Sequence, residues 1–501
     1  LTFTISTPCF AWRTLLIMTS RLDRRRFIQL AAVAASSTRL LAQKPAGGTF
    51  SVRPVSLGVM PANFTGLSYE ASQLADPSYF SPDNKALVAL FKALTPDGVL
   101  RIGGNLSAFT VWHDDASAPV TPAERVILDK GKNYWEWKLS SPVVAHGPHE
   151  AIVTPVVIEA LAGFLKATGW KLIYGLNFAM GTPEQAAAEA ACVQQNVGSS
   201  LLAFQLGNEI DFWKGGFRGQ DWDFDHFYAQ WTDWVGIIRA KAPNAPFAGP
   251  DTAVNLNWVE RFSQKPKGTV VFLSKHHYAM GPGATPQAGA ARLLGPDADA
   301  DKEIATAQKA KEVSGLGFRN TECNSCSHGG QPGVSDAYTS ALWCADYMLS
   351  LAKGGEIGVN LHGGGDGIYT PIAGDPQTGA LRPRPLYYGM RFAQLFAGAT
   401  MLQTSLSVGS ANVTAYAGQH GGQLIVALIN KDAVPAHITI DRKSIGGANL
   451  RFIASLSGPS LDAHSGIVLE PLNLKPDELA ARMAAGIDVP PYTALLLRFT
   501  A

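Results

Sequence analysis

Two glutamates have the placement that chemistry asks for. Glu209 closes the β-rich run 201–209 as Gly207-Asn208-Glu209, and Glu322 closes the run 317–322. Paired carboxyl groups cleave a glycosidic bond with retention when one is protonated and helps the leaving oxygen depart while the other is ionised and attacks carbon. The two then stand about 5–5.5 Å apart. Glu209 is expected to be the general acid/base and Glu322 the nucleophile. Asn208 suits a hydrogen bond to the sugar 2-hydroxyl, a contact that strengthens as charge develops. Tyr278, the last residue of His276-His277-Tyr278, can donate to the nucleophilic carboxylate and help keep it charged. His276 reads as a buried, hydrogen-bonded histidine, and Arg101 as a structural cation paired with carboxylates. Other chemistries lack their motifs. No G-x-S-x-G elbow occurs, and Gly103-Gly104 belongs to no phosphate loop. Cys323-x-x-Cys326 has no second pair to complete a metal site, so a disulfide or buried thiols are expected, and neither a metal nor a cofactor is called for.

Such residues must be held by rigid elements. From Pro61 onward, short β-rich runs alternate with amphipathic helical stretches. Eight strands are predicted over 64–70, 98–104, 171–177, 201–209, 246–251, 270–278, 317–322 and 356–362. Helices are predicted over 83–94, 155–168, 183–196, 224–242, 300–313 and 337–352. This pattern implies an α/β fold, a (β/α)8 barrel over 61–390, whose chemistry sits at the C-terminal strand ends. Those ends carry Glu70, Arg101, Asn105, Asn177, Asn208, Glu209, Asp251, the His276–Tyr278 run, Glu322 and His362. From Arg391 to 501 the texture changes to short strands with Gly, Asn and Asp turns, an antiparallel β-sandwich. The β-rich run within 48–60 is expected to supply that sandwich with an N-terminal strand.

Asn-Glu after the fourth strand, His-His-Tyr after the sixth and Thr-Glu after the seventh resemble the large barrel clan whose acid/base and nucleophile close strands four and seven. Within it the chain is similar to glycoside hydrolase family 79, which holds β-glucuronidases and heparanase. The resemblance spans nearly all of the chain after its first segment. It implies a retaining exo-β-glucuronidase with a glucuronide substrate. It also implies that backbone amides of Gly329 and Gly330, with Tyr369, hold the glucuronate carboxylate, and that Glu70 accepts from sugar hydroxyls. Successive N–H groups make such an anion-holding concavity without a salt bridge. One position departs from the pattern. Ser327 stands where the family often has Tyr, which opens room for a 4-O-methylated glucuronate or for His328. Alternatives are an endo-acting, heparanase-like enzyme and a non-catalytic carbohydrate-binding protein.

The bulk numbers fit this reading. The 501 residues carry 41 basic and 40 acidic side chains, a formal net charge of +1. That balance provides no long-range attraction for nucleic acid or an anionic membrane. The first 42 residues are expected to be an upstream extension and an export signal. Arg24-Arg25-Arg26-Phe27-Ile28 precedes an apolar stretch too short to span a bilayer, resembling a twin-arginine signal, with Met18 as the expected start. The protein is therefore expected outside the cytoplasm; its oligomeric state is not legible.

Overall fold

The computed structural model describes residues 45–139, 151–265, 268–364, 367–374 and 381–500. The export signal expected over 1–42 lies outside them. Eight parallel strands close into a barrel in chain order: Thr65–Glu70, Val99–Gly103, Lys171–Leu176, Leu201–Leu206, Phe247–Thr252, Val270–Tyr278, Gly317–Asn324 and Gly358–Gly363. The eighth pairs back to the first, Val359 opposite Thr65. They are followed in turn by helices Lys85–Leu94, Pro155–Thr168, Pro183–Val197, Phe224–Lys241, Leu256–Ser263, Ala298–Ser314, Tyr338–Lys353 and Pro385–Gln394.

Local chemistry fixes several helix ends. The side chains of Asn84, Thr182, Asp223 and Asp297 accept backbone N–H groups as N-caps. Gly169 and Gly315 stop their helices in the left-handed conformation. Two of the eight helices go beyond the sequence expectation. Leu256–Ser263 is only about two turns long, and Pro385–Gln394 contains a proline and a glycine that read as breakers. The proline sits at the first turn, where its missing N–H costs nothing. Gly389 allows close helix packing: a Cβ there would lie 2.1 Å from the Ala341 carbonyl oxygen. This helix also runs through the boundary placed at 390–391.

The barrel interior is layered. Val99, Ile173, Ala203, Ala248 and Phe272 form a small apolar cluster of buried side chains. Side chains alternate along a strand, so the residues two further on share the interior face. There Arg101, Gln205 and Ser274 turn it polar. Between the second and third strands, an excursion stands over this end, with helix Pro122–Leu139 and the paired segments Val111–Trp112 and Ile152–Val153. It carries its own small core of Leu106, Phe109, Val111, Ile127 and Leu128. That helix was not anticipated from sequence.

The second layer is a nine-stranded sheet. Its order is Val468–Pro471, Asn449–Ser457, Thr493–Thr500, Gln423–Asn430, Val413–His420, Thr400–Ser407, Ala46–Val59, Ala436–Ile440 and Ile487–Val489. Side chains from strands at both ends of that order, among them Leu450, Phe499, Ile438 and Val489, share one core, so the sheet curls over on itself as a sandwich. The strand before the barrel joins it, as expected, but between two neighbours. It pairs antiparallel with Thr400–Ser407 and parallel with Ala436–Ile440, so the sandwich is not wholly antiparallel. Among the described residues no helix is long and apolar enough to cross a membrane.

Candidate active site

Two irregularities in the strands shape the mouth of the barrel. In the seventh strand the register slips between Asn320, opposite Lys275, and Glu322, opposite His276. With one extra residue inserted, Thr321 and Glu322 both reach inward, whereas strict alternation would send one out. Thr321 Oγ1 donates to Asp251, and Glu322 meets Arg101 and Tyr278. In the fifth strand a second slip falls at Asp251, which has φ 63°. The Asp251 carbonyl accepts the Glu209 N–H at 3.0 Å. Glu209 is itself left-handed, at φ 51°. Non-glycine residues in that region are strained and cluster at functional sites.

Arg101 ties the site together from the second strand. Its Nη1 donates to Glu322 Oε2 at 2.6 Å and to Ser68 Oγ at 3.2 Å. Its Nη2 donates to Asn208 Oδ1 and Asp251 Oδ2, both at 2.8 Å, and its Nε to Gln205 Oε1 at 3.0 Å. His276 bridges two carboxylates, Nδ1 at 3.2 Å from Glu209 Oε1 and Nε2 at 3.1 Å from Asp251 Oδ2. Burial alone would favour the neutral ring. The charges of Asp251 and Glu322 override it and push the His276 pKa up to about 10.

The two candidate carboxylates differ in surroundings. Glu322 accepts from Arg101 on one oxygen and from the Tyr278 hydroxyl on the other, at 2.6 Å each. Burial opposes its ionisation, but His362, His276 and Arg101 reverse that and hold its carboxyl well below the usual range. Glu209 is more open, its side chain 18% exposed against 5% for Glu322. One oxygen of each carboxylate and a ring nitrogen of His276 all lie within 4.8 Å of one another. This spacing could also suit a metal ion. However, both His276 nitrogens face carboxylates and the ring keeps its proton, so it offers N–H donors rather than a lone pair.

The structure brings the other expected residues to the same mouth. Asn208 accepts from Arg101 and gives one amide hydrogen to Asn105 Oδ1 at 3.0 Å, while its second meets no acceptor among the described residues. The Tyr369 ring lies 6.5 Å from that of Tyr278 and 5.9 Å from that of His362. Gly329 and Gly330 have φ of 89° and 97°, which glycine adopts freely. A Cβ on Gly330 would be 3.0 Å from Ser335 Cβ and 3.2 Å from Tyr369 Cβ, so Gly330 lies between these two residues. The Gly330 N–H already donates to the Ser327 carbonyl, at 3.4 Å, while that of Gly329 meets no acceptor among the described residues. Glu70 is partly engaged in structure: its Oε2 accepts the Leu106 N–H at 2.9 Å, and its Oε1 is 3.7 Å from His362 Nε2. His328 is exposed and Ser327 half-buried. Cys192, Cys323, Cys326 and Cys344 are free thiols, the last three buried. Burial raises the Cys326 thiol to about 11.

Sequence reading gave Asp251 no role beyond a strand end and did not single out Gln205. The available signal was a lone polar residue inside an apolar strand, Gln205 within 201–206.

Tyr278→Phe removes one donor to Glu322. Its carboxyl pKa should rise, so the acidic limb of the kcat/KM profile moves to higher pH. Loss of a hydrogen bond to a charged group, about 1.5–3 kcal/mol, corresponds to a rate loss of roughly tenfold to a hundredfold. An unmoved acidic limb would count against this contact.

No family model matches the chain. It is similar to a β-glucuronidase of Neurospora crassa, 23% identical over 326 residues, 58% of this chain and 54% of that protein. A β-glucuronidase of Aspergillus niger is 23% identical over 395 residues, 72% of this chain and 68% of the relative. The chain thus spans about half the length of the first of these relatives and two thirds of the second. Among solved structures, a 4-O-α-L-rhamnosyl-β-D-glucuronidase from Fusarium oxysporum superposes with a TM-score of 0.66 at 17% identity, over 90% of this chain and 99% of that one. A family 51 arabinofuranosidase from Xanthomonas axonopodis pv. citri gives 0.62 at 15%, over 91% and 99%. These structures share the fold.

Proposed function

We propose that this chain is a retaining exo-β-glucuronidase of the family 79 type, acting after export. The observation that carries the reading is the approach of Glu209 and Glu322, with carboxylate oxygens within 4.8 Å across the barrel mouth. So close an approach of their oxygens suits the roughly 5–5.5 Å carboxyl spacing of retaining enzymes, in which one carboxylate attacks a single bound sugar directly. The names of the two similar fungal enzymes support glucuronate as the sugar.

Glu322, held ionised by Arg101 and Tyr278, attacks the anomeric carbon. Glu209 gives its proton to the departing glycosidic oxygen, and a glycosyl ester forms on Glu322. Glu209 then takes a proton from water, which attacks the same carbon and releases the sugar with its configuration kept. Asn208 turns its remaining amide hydrogen to the 2-hydroxyl. The Gly329 N–H, with Tyr369 beside it, receives the glucuronate carboxylate.

An aryl-glycoside panel tests the substrate: glucuronide, 4-O-methylglucuronide, glucoside, galactoside and xyloside. Turnover of the glucuronide with a β-configured first product is expected. Binding of glucuronides without turnover would favour a carbohydrate-binding protein instead. A preference for 4-O-methylglucuronide is the second reading. It rests on Ser327, a small side chain whose backbone is fixed between Gly281 and Gly283. Glu209→Gln is expected to lower turnover of an alkyl glucuronide at least about a hundredfold. A dinitrophenyl glucuronide, whose leaving group needs no proton, should lose far less in the first step. Equal losses on both would reject the acid role.

A further inference from the structure

The loop that carries Glu209 ends in apolar side chains that the fold holds in solvent. Directly after Glu209 comes a single 3-10 turn, Ile210–Phe212, in which Ile210 is buried while Phe212 is 60% exposed. This loop is fastened on both sides. The Trp213 indole donates to the Asn208 carbonyl at 3.0 Å and the Trp222 indole to the Ile210 carbonyl at 2.8 Å. The Asp211 carboxylate accepts the N–H groups of Ala253, Val254 and Asn255 at 2.7, 3.0 and 3.0 Å. That clasp joins the loop after the fourth strand to the loop after the fifth, where Val254 is 65% exposed. Phe217, 38% exposed, lies 5.5 Å from the Trp213 ring.

One exposed apolar side chain is ordinary on any surface. Here Phe212 and Val254 are held on two loops clasped to each other, immediately downstream of the candidate acid/base. Glu209 must reach the glycosidic oxygen, so the departing group leaves from Glu209's side of the sugar. The two clasped loops that begin at Glu209 and Asp251 hold a phenyl ring and an isopropyl group in solvent, and the Asp211 carboxylate between them is occupied by backbone N–H groups. A flat apolar aglycone stacks on such a surface with little ordering cost, because the loops are already fixed.

We propose that Phe212 and Val254 form a leaving-group platform that favours glucuronides of aromatic, apolar aglycones over glucuronate linked to another sugar. This rests on the glucuronidase reading above. The test compares kcat/KM for a methylumbelliferyl β-glucuronide with that for a disaccharide carrying β-glucuronate on a neutral sugar. Phe212→Ala should lower the aryl-to-disaccharide ratio about tenfold, the upper range of aromatic stacking, with most of the change in KM. Val254→Ser should lower it in the same direction, and Phe212→Tyr should keep it. Phe212 is largely exposed, so its replacement does not threaten folding. An unchanged ratio in both Phe212→Ala and Val254→Ser, in an enzyme that hydrolyses glucuronides, overturns the platform alone. Failure of the unsubstituted chain to hydrolyse any glucuronide overturns the glucuronidase reading, and the platform with it.

Discussion

Glu322→Ala should lower aryl β-glucuronide turnover by at least about a hundredfold, with azide or formate restoring part of it as the α-configured adduct or its hydrolysis product. The reasoning is steric as well as chemical. Alanine leaves a space beside the anomeric carbon on the face where the carboxylate attacked, and a small anion can enter it. Arg101 keeps Asp251 as a partner at 2.8 Å, so the variant is not left with an unpaired buried cation and should fold. Rescue with inverted stereochemistry separates a lost nucleophile from a merely damaged site. Near-normal turnover by the variant, or formation of the α-configured adduct by Glu209→Ala in its place, would reverse the assignment or remove it.

The second large effect is expected at Arg101. Arg101→Met keeps an unbranched, apolar side chain of moderate length but removes the cation that Asp251 and Glu322 share. Taking one partner from a buried, hydrogen-bonded charge cluster costs about 3–5 kcal/mol. A clearly lower urea midpoint at neutral pH is therefore expected, together with severe loss of activity. The pH dependence carries the sign of each shift. Asp251 and Glu322 have depressed values in the folded chain, so their contribution is present above about pH 4 and is lost as pH falls. Without Arg101 that depression shrinks, and the acidic limb of activity moves to higher pH. His276 has the opposite sign. Its folded value of about 10 gives a contribution that is full below its unfolded value of about 6.5 and is lost as pH rises through 10. Unsubstituted protein should accordingly weaken on the alkaline side, and Arg101→Met should still do so, because His276 remains between Asp251 and Glu209. A variant as stable as the parent, with its acidic limb in place, would contradict the charge network described.

The placement of Glu209, Asn208, Tyr278 and Glu322 was legible because each is a polar group at the end of a β-rich run. In a barrel, a strand end is where such a group meets solvent and substrate. The role of Arg101 was only half legible. Its pairing with carboxylates could be expected from a cation in an apolar strand, but its direct hold on Glu322, 221 positions away, could not. His276 was expected to be buried and hydrogen-bonded, and it is. That it spans Glu209 and Asp251 depends on the register of its strand against both neighbours. The helix Pro385–Gln394 is hidden in the sequence because its proline and glycine read as breakers, although Pro385 suits a first turn and Gly389 a close crossing; Leu256–Ser263 is hidden by its shortness.

By itself the sequence determined the repeat of strand and helix, the polar residues at the strand ends, and the extra strand before the barrel. These follow from local periodicity, which each segment carries without reference to the others. Tertiary structure alone decided that Thr321 and Glu322 turn inward together, that Glu209 and Asp251 take left-handed backbone, and that one guanidinium joins four strands. Those outcomes depend on register slips and on contacts between residues far apart in the chain. The free energy of such contacts is shared among partners, and no local run of residues encodes it.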